Sequence, residues 1–148
     1  MANHEANWLL PFQKICEKRN LEYTIGQGNQ NQLAILPNLP SVQFGDLRVR
    51  SGNETHVVEI ENGGGVTNLA KYWAALAPIN VCEHIERVVL THVYNRAYGY
   101  QSHHAIWNFL YSKMDVWPRF EAHLYVVAYE ELDIVARLFA ERIPINQQ

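Results

Sequence analysis

The feature that most constrains the fold of this chain is a β-hairpin pattern in its first half. Residues 42–50 and 55–61 both have strand character, and Gly52-Asn53 between them suits a two-residue turn, because glycine accepts a positive φ. Such a turn sets the register, in which each step back along the first strand is opposite one step forward along the second. The sequence therefore predicts an antiparallel pair in which every side chain is assigned to one of two faces.

The predicted register separates charged from apolar side chains. It places Asp46 opposite Glu59, with Glu61 two residues further along the same face. Like charges at such a pair repel, so a fold keeps them where they are solvated, protonated or neutralised by a cation. Arg48 and Arg50 share this face. The opposite face is the expected core face, on which four apolar residues lie: Leu47, Val49, Val58 and Ile60.

Two interpretations of the acidic face stay open from spacing alone. Carboxylate oxygens are hard ligands that suit Mg²⁺, Mn²⁺ or Ca²⁺, so the cluster is a candidate metal site. A solvent-facing strand with ordinary polar alternation explains the same pattern.

The remaining segments predict an α/β fold, a mixed β-sheet flanked by helices on both faces. A strand–helix–strand unit over 55–94 implies a parallel pair, whereas the run before it is antiparallel. Pro11 is expected only in the first turn of its helix, which leaves the start of that helix open. Further strands are expected at 21–25, 33–36, 87–94 and 120–129. Helices are expected at 7–19, 67–76, 102–114 and 131–142.

Length and composition favour a single globular domain over residues 1–148. Apolar residues make up 48% of the 148 residues and charged residues 18%, which is typical of a chain with a packed core. No stretch has the roughly 18 apolar residues that a membrane helix requires, and no signal-peptide pattern is present. Cys16 and Cys82 are predicted to be buried, reduced thiols, so a cytoplasmic location is expected.

The order of these elements and the acidic residues resemble the restriction-endonuclease-like PD-(D/E)XK superfamily. Asp46 is followed by a hairpin, then Glu59-Ile60-Glu61, then a helix, and the order helix, three strands, helix, strand covers residues 7–94. The resemblance implies Mg²⁺-dependent (or Mn²⁺-dependent) hydrolysis of DNA phosphodiester bonds. It also implies that Asp46 and Glu59 are the metal ligands, with the carbonyl oxygen of Ile60 as a further one.

The chain departs from the family pattern at two positions. Glu61 stands where the motif lysine is usual, and Gly45 precedes Asp46 where the family has proline. The resemblance allows the lysine to come from the following helix, where Lys71 is the candidate, so either Glu61 or Lys71 would orient or deprotonate the attacking water. The predicted contacts to nucleic acid come from Arg48, Arg50 and Asn68.

Other functions remain open in the sequence. A net charge of −3 argues against sequence-blind DNA binding, so a catalytically inactive module that binds protein, nucleic acid or a small ligand is the alternative. The aromatic residues could instead form the wall of a small-ligand pocket. His92 is interpreted either as a core histidine or as part of a site near the carboxyl end of its strand. DNA is the expected partner, and no association with a membrane is expected. Both a single chain and a homodimer remain open.

Overall fold

The computed structural model describes residues 4–26, 31–33, 42–61, 70–72, 87–98, 102–112 and 119–144. Its helices are α1 (His4–Lys18), α2 (Ser102–Ser112) and α3 (Leu132–Glu141), and residues 70–72 are also helical. Its strands are β1 (Thr24–Ile25), β2 (Gln32–Leu33), β3 (Val42–Gln43), β4 (Leu47–Ser51), β5 (Glu54–Glu61), β6 (Arg87–Asn95) and β7 (Phe120–Val127).

Five of these strands form one mixed sheet in the order β1-β4-β5-β6-β7. The pairs β1–β4 and β4–β5 are antiparallel, whereas β5–β6 and β6–β7 are parallel. The predicted hairpin register is confirmed from Ser51 opposite Glu54 to Leu47 opposite Val58. The predicted α/β class with a mixed sheet is therefore confirmed. Strands β2 and β3 pair with each other in a separate two-stranded sheet.

The apolar side chains of the hairpin are buried, as the alternation predicted, and they share one core with α1 and α3. Phe12 of α1 and Phe139 of α3 meet edge to face with ring centroids 5.8 Å apart, and both are buried. Burial of apolar area of this kind stabilises a fold by about 25 cal/mol per Å². We call this side of the sheet the core face; the sheet contributes to it Leu47, Val49, Val58, Ile60, Val93 and Val127.

The other side of the sheet is buried as well, over its central strands. Tyr72, from the helical residues 70–72, packs edge to face on Phe44 at 4.7 Å and stacks on Phe120 at 5.7 Å. Val57 is completely buried on this side. Helical residues therefore cover both faces, and we call this second side the site face because it carries Glu59.

One predicted strand, 42–50, is broken in the structure. Strand β3 ends at Gln43 and β4 begins only at Leu47. Gly45 between them has φ +99°, and a Cβ placed on it would meet the Val57 side chain at 3.0 Å, so the chain turns where only glycine fits without strain. Asp46 consequently precedes β4 instead of lying within it.

The first helix also differs from its prediction. It begins at His4, so Pro11 lies in its interior, and the expectation of proline in the first turn only is wrong. Proline there lacks an N–H for the helical ladder. The helix tolerates this because the neighbouring side chains of Trp8, Leu9 and Phe12 are all buried in the core.

Smaller differences concern element ends. The strand expected at 21–25 is reduced to β1, and a 3₁₀ turn, Tyr129–Glu131, precedes α3. The helix predicted at 102–114 is described as far as Ser112, and its last two residues lie outside the described part of the chain. Of the helix predicted at 67–76 and the strand at 33–36, only 70–72 and Leu33 are among the described residues. Cys16 is buried as predicted, and burial raises its thiol pKa to about 12, while Cys82 lies outside the described residues. Within the described part of the chain, no helix is long and apolar enough to span a membrane.

Candidate functional site

Asp46 lies in the turn between β3 and β4, and its carboxylate replaces a missing piece of the backbone ladder. Its Oδ1 accepts a hydrogen bond from Gln43 Nε2 at 2.8 Å, and its Oδ2 accepts one from the backbone N–H of Ile60, also at 2.8 Å. The ladder itself stops at Leu47 opposite Val58. The backbone N–H of Asp46 still donates to the carbonyl oxygen of Val58 at 2.8 Å, and its side chain reaches Ile60. Asp46 is therefore joined to β5 on either side of Glu59, although the strand register does not extend to an Asp46–Glu59 pair.

The turn that carries Asp46 is held in place by a completely buried asparagine. Asn31 Nδ2 donates to the carbonyl oxygen of Gly45 at 2.9 Å and to that of Thr24 at 3.2 Å. The N–H of Phe44 in turn donates to the carbonyl oxygen of Asn31 at 2.8 Å. A buried polar side chain that makes these bonds fixes the backbone on both sides of it, so the Asp46 carboxylate is positioned in advance.

Glu59 is buried on the site face with two side-chain donors on one oxygen. Its exposed fraction is only 3%, so the interpretation of this face as a solvated surface is wrong. Tyr72 Oη donates to Glu59 Oε1 at 2.5 Å, and Lys71 Nζ lies 2.7 Å from the same oxygen. The buried Glu59 carboxylate is therefore neutralised by a cation, and that cation is the Lys71 ammonium.

Lys71 also joins the two carboxylates through a shared neighbour. Its Nζ donates to the carbonyl oxygen of Gln43 at 2.7 Å, while the Gln43 side chain donates to Asp46. Asp46 is 6% exposed, and the Lys71 side chain is 14% exposed. We call Gln43, Asp46, Glu59 and Lys71 the Asp46–Glu59 cluster. The ion pair between Lys71 and Glu59 is largely shielded from water, and its attraction is therefore stronger than that of a surface pair.

Burial sets the protonation of the groups around Glu59. Burial, followed by the charge of Glu59, raises the Tyr72 pKa well above its ordinary value of 10.0, so the phenol remains a donor. Burial, followed by the nearby Arg50, lowers the pKa of Arg48. Arg48 interacts electrostatically with Tyr72, which places its positive charge beside the cluster. The predicted sharing of one face by Arg48, Arg50 and Glu59 is confirmed by the register.

Glu61 and His92 extend the site face toward the carboxyl ends of β5 and β6. His92 is opposite Glu59 in the parallel register and is completely buried. Its Nε2 lies 3.9 Å from Glu61 Oε1, and its ring is 4.7 Å from that of Tyr94. Burial, followed by the charge of Glu61, raises the Tyr94 pKa. His92 is thus a buried core histidine, and its ring lies next to the acidic residues Glu59 and Glu61.

The structure brings together most of the predicted site residues. Asp46, Glu59 and Lys71 are joined by direct or shared hydrogen bonds, whereas Asn68 lies outside the described residues. Sequence reasoning gave no role to Gln43 or Tyr72. Because Tyr72 is next to Lys71 in the same helical turn, the sequence could have indicated that its side chain reaches Glu59. No feature of the sequence around Gln43 indicates its contact with Asp46. Among the described residues, no three Asp, Glu, His or Cys side chains form a ready group of metal ligands.

Comparison of the chain with protein-family models, with curated protein sequences and with solved structures finds no match. Function is therefore inferred from the chemistry of the Asp46–Glu59 cluster itself.

Proposed function

We propose that this chain is a divalent-metal-dependent nuclease of the PD-(D/E)XK type that hydrolyses phosphodiester bonds in DNA. The observation that carries the proposal is the Asp46–Glu59 cluster. The buried carboxylate of Glu59 on β5 contacts the Lys71 ammonium, and the buried carboxylate of Asp46, from the turn before β4, is linked to the same ammonium through Gln43. A fold that only needed to bury this surface would be equally stable or more stable with apolar side chains there. Retained buried charge in a prepared geometry supports a chemical role.

The donor set suits Mg²⁺ or Mn²⁺. Mg²⁺ is usually held by one or two carboxylates and completes its shell with water and substrate phosphates, so Asp46 and Glu59 meet its requirement without a third acidic ligand. Both donors to Glu59 use Oε1, which leaves Oε2 the natural ligand atom among the described contacts. A bound divalent cation would lower the pKa of a water molecule and stabilise negative charge on the phosphate.

The chain's own residues would then act around that centre. Tyr72 fixes the rotamer of Glu59 through its short hydrogen bond, and the carboxylate is therefore pre-oriented. Lys71 supplies the ammonium that the family motif usually places two residues after the acidic ligand, and it would orient the attacking water or stabilise charge on the phosphate. Glu61 is the competing candidate for the water. Arg48 and Arg50 would bind phosphates on the flanking nucleotides.

A cleavage assay tests the proposal. The purified chain with millimolar Mg²⁺ or Mn²⁺ is expected to cut single-stranded, double-stranded or branched DNA, and Glu59→Gln and Asp46→Asn are each expected to abolish cutting, because each removes a negative ligand at constant size. Glu121→Gln is the matched control, since this glutamate is half exposed on the core face. Absence of cleavage on all three substrates with both metals, in a chain that is folded, would refute the enzyme.

A second candidate, a non-catalytic module of the same fold, is favoured by one observation. The Lys71 ammonium already neutralises Glu59, so the cluster needs no metal for its charge to be compensated. Calorimetric titration with Mn²⁺ separates the two candidates: the enzyme requires a site that disappears in Glu59→Gln, whereas the module predicts no metal binding and tolerance of Asp46→Asn.

A further inference from the structure

Two donors share one oxygen of Glu59, and the structure holds them with different firmness. Tyr72 Oη donates to Oε1 at 2.5 Å, and Lys71 Nζ lies 2.7 Å from the same atom. The Tyr72 side chain is completely buried, and its ring packs on Phe44 and Phe120. The Lys71 side chain is 14% exposed and reaches Glu59 along a flexible chain of methylenes. Glu59 therefore has one fixed donor and one donor that a rotamer change can remove.

The surroundings of Lys71 give its ammonium a short route to solvent. Ala70, the residue before it in the same helical turn, is exposed, whereas Tyr72 after it is buried. Besides Glu59, its hydrogen-bond partner in the described part of the chain is the backbone carbonyl oxygen of Gln43, at 2.7 Å. This contact lies at an exposed position, so water can replace the ammonium there. Lys71 can thus leave the cluster without moving the turn that carries Tyr72.

The charges of the cluster favour the departure of Lys71 when a divalent cation binds. Asp46 and Glu59 supply two buried negative charges, and Lys71 compensates one of them. A doubly charged cation leaves this set neutral if the ammonium departs, and leaves an excess positive charge if it stays. Arg48, which acts electrostatically on Tyr72, adds to that excess. Like charges repel strongly where water is excluded, and an uncompensated buried charge is costly.

We propose that Lys71 is a tethered counter-ion, which compensates Glu59 in the metal-free protein and is released from it when Mg²⁺ or Mn²⁺ binds. The inference rests on the proposed metal-dependent function. Tyr72 keeps the Glu59 carboxylate oriented during the exchange, because its own hydrogen bond does not depend on Lys71. The released ammonium stays on the same helical turn and is then available to a substrate phosphate. Competition by Lys71 also sets the metal concentration at which the site fills.

Chemical modification of lysines in the full wild-type chain tests the release. The chain is treated with limiting acetic anhydride, with and without saturating Mn²⁺, and modification of each lysine is measured by peptide mass spectrometry. Lys14, which is exposed on α1, is the matched control. Because protection reports how often a group leaves its contacts, Mn²⁺ should speed modification of Lys71 about tenfold or more and change that of Lys14 by less than about twofold. In Glu59→Gln, Lys71 should react equally fast with and without Mn²⁺.

Metal affinity provides a second measurement. Calorimetric titration with Mn²⁺ should give a Kd at least about tenfold lower for Lys71→Met than for the wild type, because the competing ammonium is gone. Arg87→Met removes a cation that pairs with Glu54 and Glu121 instead, and its Kd should stay within about twofold of the wild type. Circular dichroism establishes that each variant is folded.

The outcomes separate this inference from the nuclease proposal. Binding of Mn²⁺ to the wild type with Lys71 still protected, or an equal Kd in Lys71→Met and the wild type, would overturn the release and leave the nuclease standing. Release of Lys71 by Mn²⁺ without cleavage of any DNA substrate would support the counter-ion and refute the enzyme. Absence of Mn²⁺ binding from both folded chains would overturn the two together.

Discussion

Two charged clusters on opposite sides of the sheet use the same residue types in different surroundings. On the core face, Arg87 of β6 lies between Glu54 of β5 at 3.2 Å and Glu121 of β7 at 2.7 Å. Each glutamate also contacts the histidine two residues on, His56 at 2.8 Å and His123 at 2.6 Å. This arrangement, here called the rim cluster, comes from two Glu-x-His sequences on either side of one arginine.

Exposure separates the two clusters. The carboxylate side chains of the rim cluster are 28% and 40% exposed, whereas Asp46 and Glu59 are 6% and 3% exposed. Exposed pairs contribute about 0–1 kcal/mol each because water screens them and side-chain entropy opposes them. A buried pair costs several kcal/mol of desolvation per ion, so a single-partner deletion is severe. The comparison teaches that spacing alone does not rank charged clusters, whereas burial does.

The largest expected contrast between the clusters is in catalysis. Lys71→Ala should reduce DNA cleavage by roughly 10²-fold or more, the range typical of an acid–base or charge-stabilising group. Arg87→Ala, the matched loss of a cation from the rim cluster, should leave the rate within about twofold. Single-turnover cleavage rates at saturating Mg²⁺ are the measurement. A mild Lys71→Ala together with a severe Glu61→Gln would transfer the role to Glu61.

A smaller contrast is expected in stability. Lys71→Met leaves Glu59 buried without its cation and should lower the free energy of unfolding by about 3 kcal/mol. Arg87→Met should lower it by less than about 1 kcal/mol. Urea denaturation of both variants provides the comparison, and Glu59→Gln added to Lys71→Met should recover part of the loss. Equal losses in the two single variants would mean that burial does not distinguish the clusters.

The smallest expected effect is the pH dependence contributed by His56. Its side chain is completely buried, and burial lowers its pKa more than the hydrogen bond to Glu54 raises it. The unfolded chain therefore takes up the proton first, at about pH 6.5. Stability is then complete above that pH and falls as the pH drops from there through the lower folded pKa.

His56→Gln should flatten this acid dependence, because it removes the buried imidazole that the unfolded chain protonates first. Thermal melts between pH 7.5 and 5 should show a Tm difference of no more than about 3 °C between the wild type and His56→Gln. An acid dependence that survives in His56→Gln would assign it to other groups.

The hairpin illustrates how much of the fold the sequence predicts. Its register followed from Gly52-Asn53 and from side-chain alternation, and the structure keeps it from Ser51 to Leu47. The prediction failed one residue later, at Asp46, because alternation carries no information on where a glycine with positive φ interrupts a strand. Pro11 failed for a related reason, since local rules for proline ignore the core contacts that stabilise the rest of α1.

The candidate site shows the same limit. Asp46, Glu59 and Lys71 were named from spacing and from the resemblance to the PD-(D/E)XK superfamily. Gln43 and Tyr72 were missed because their roles depend on contacts with residues far away along the chain, such as the 2.5 Å bond from Tyr72 to Glu59. No periodicity encodes that contact.

By itself, the sequence determined the α/β class, the mixed sheet, the hairpin register and the face on which Glu59 and Glu61 lie. These follow from local preferences and from alternation, which act over a few residues. Only the tertiary structure decided that the acidic face is buried and that Lys71 compensates Glu59. Burial and charge pairing depend on how distant segments pack together, and that packing is fixed by the whole chain.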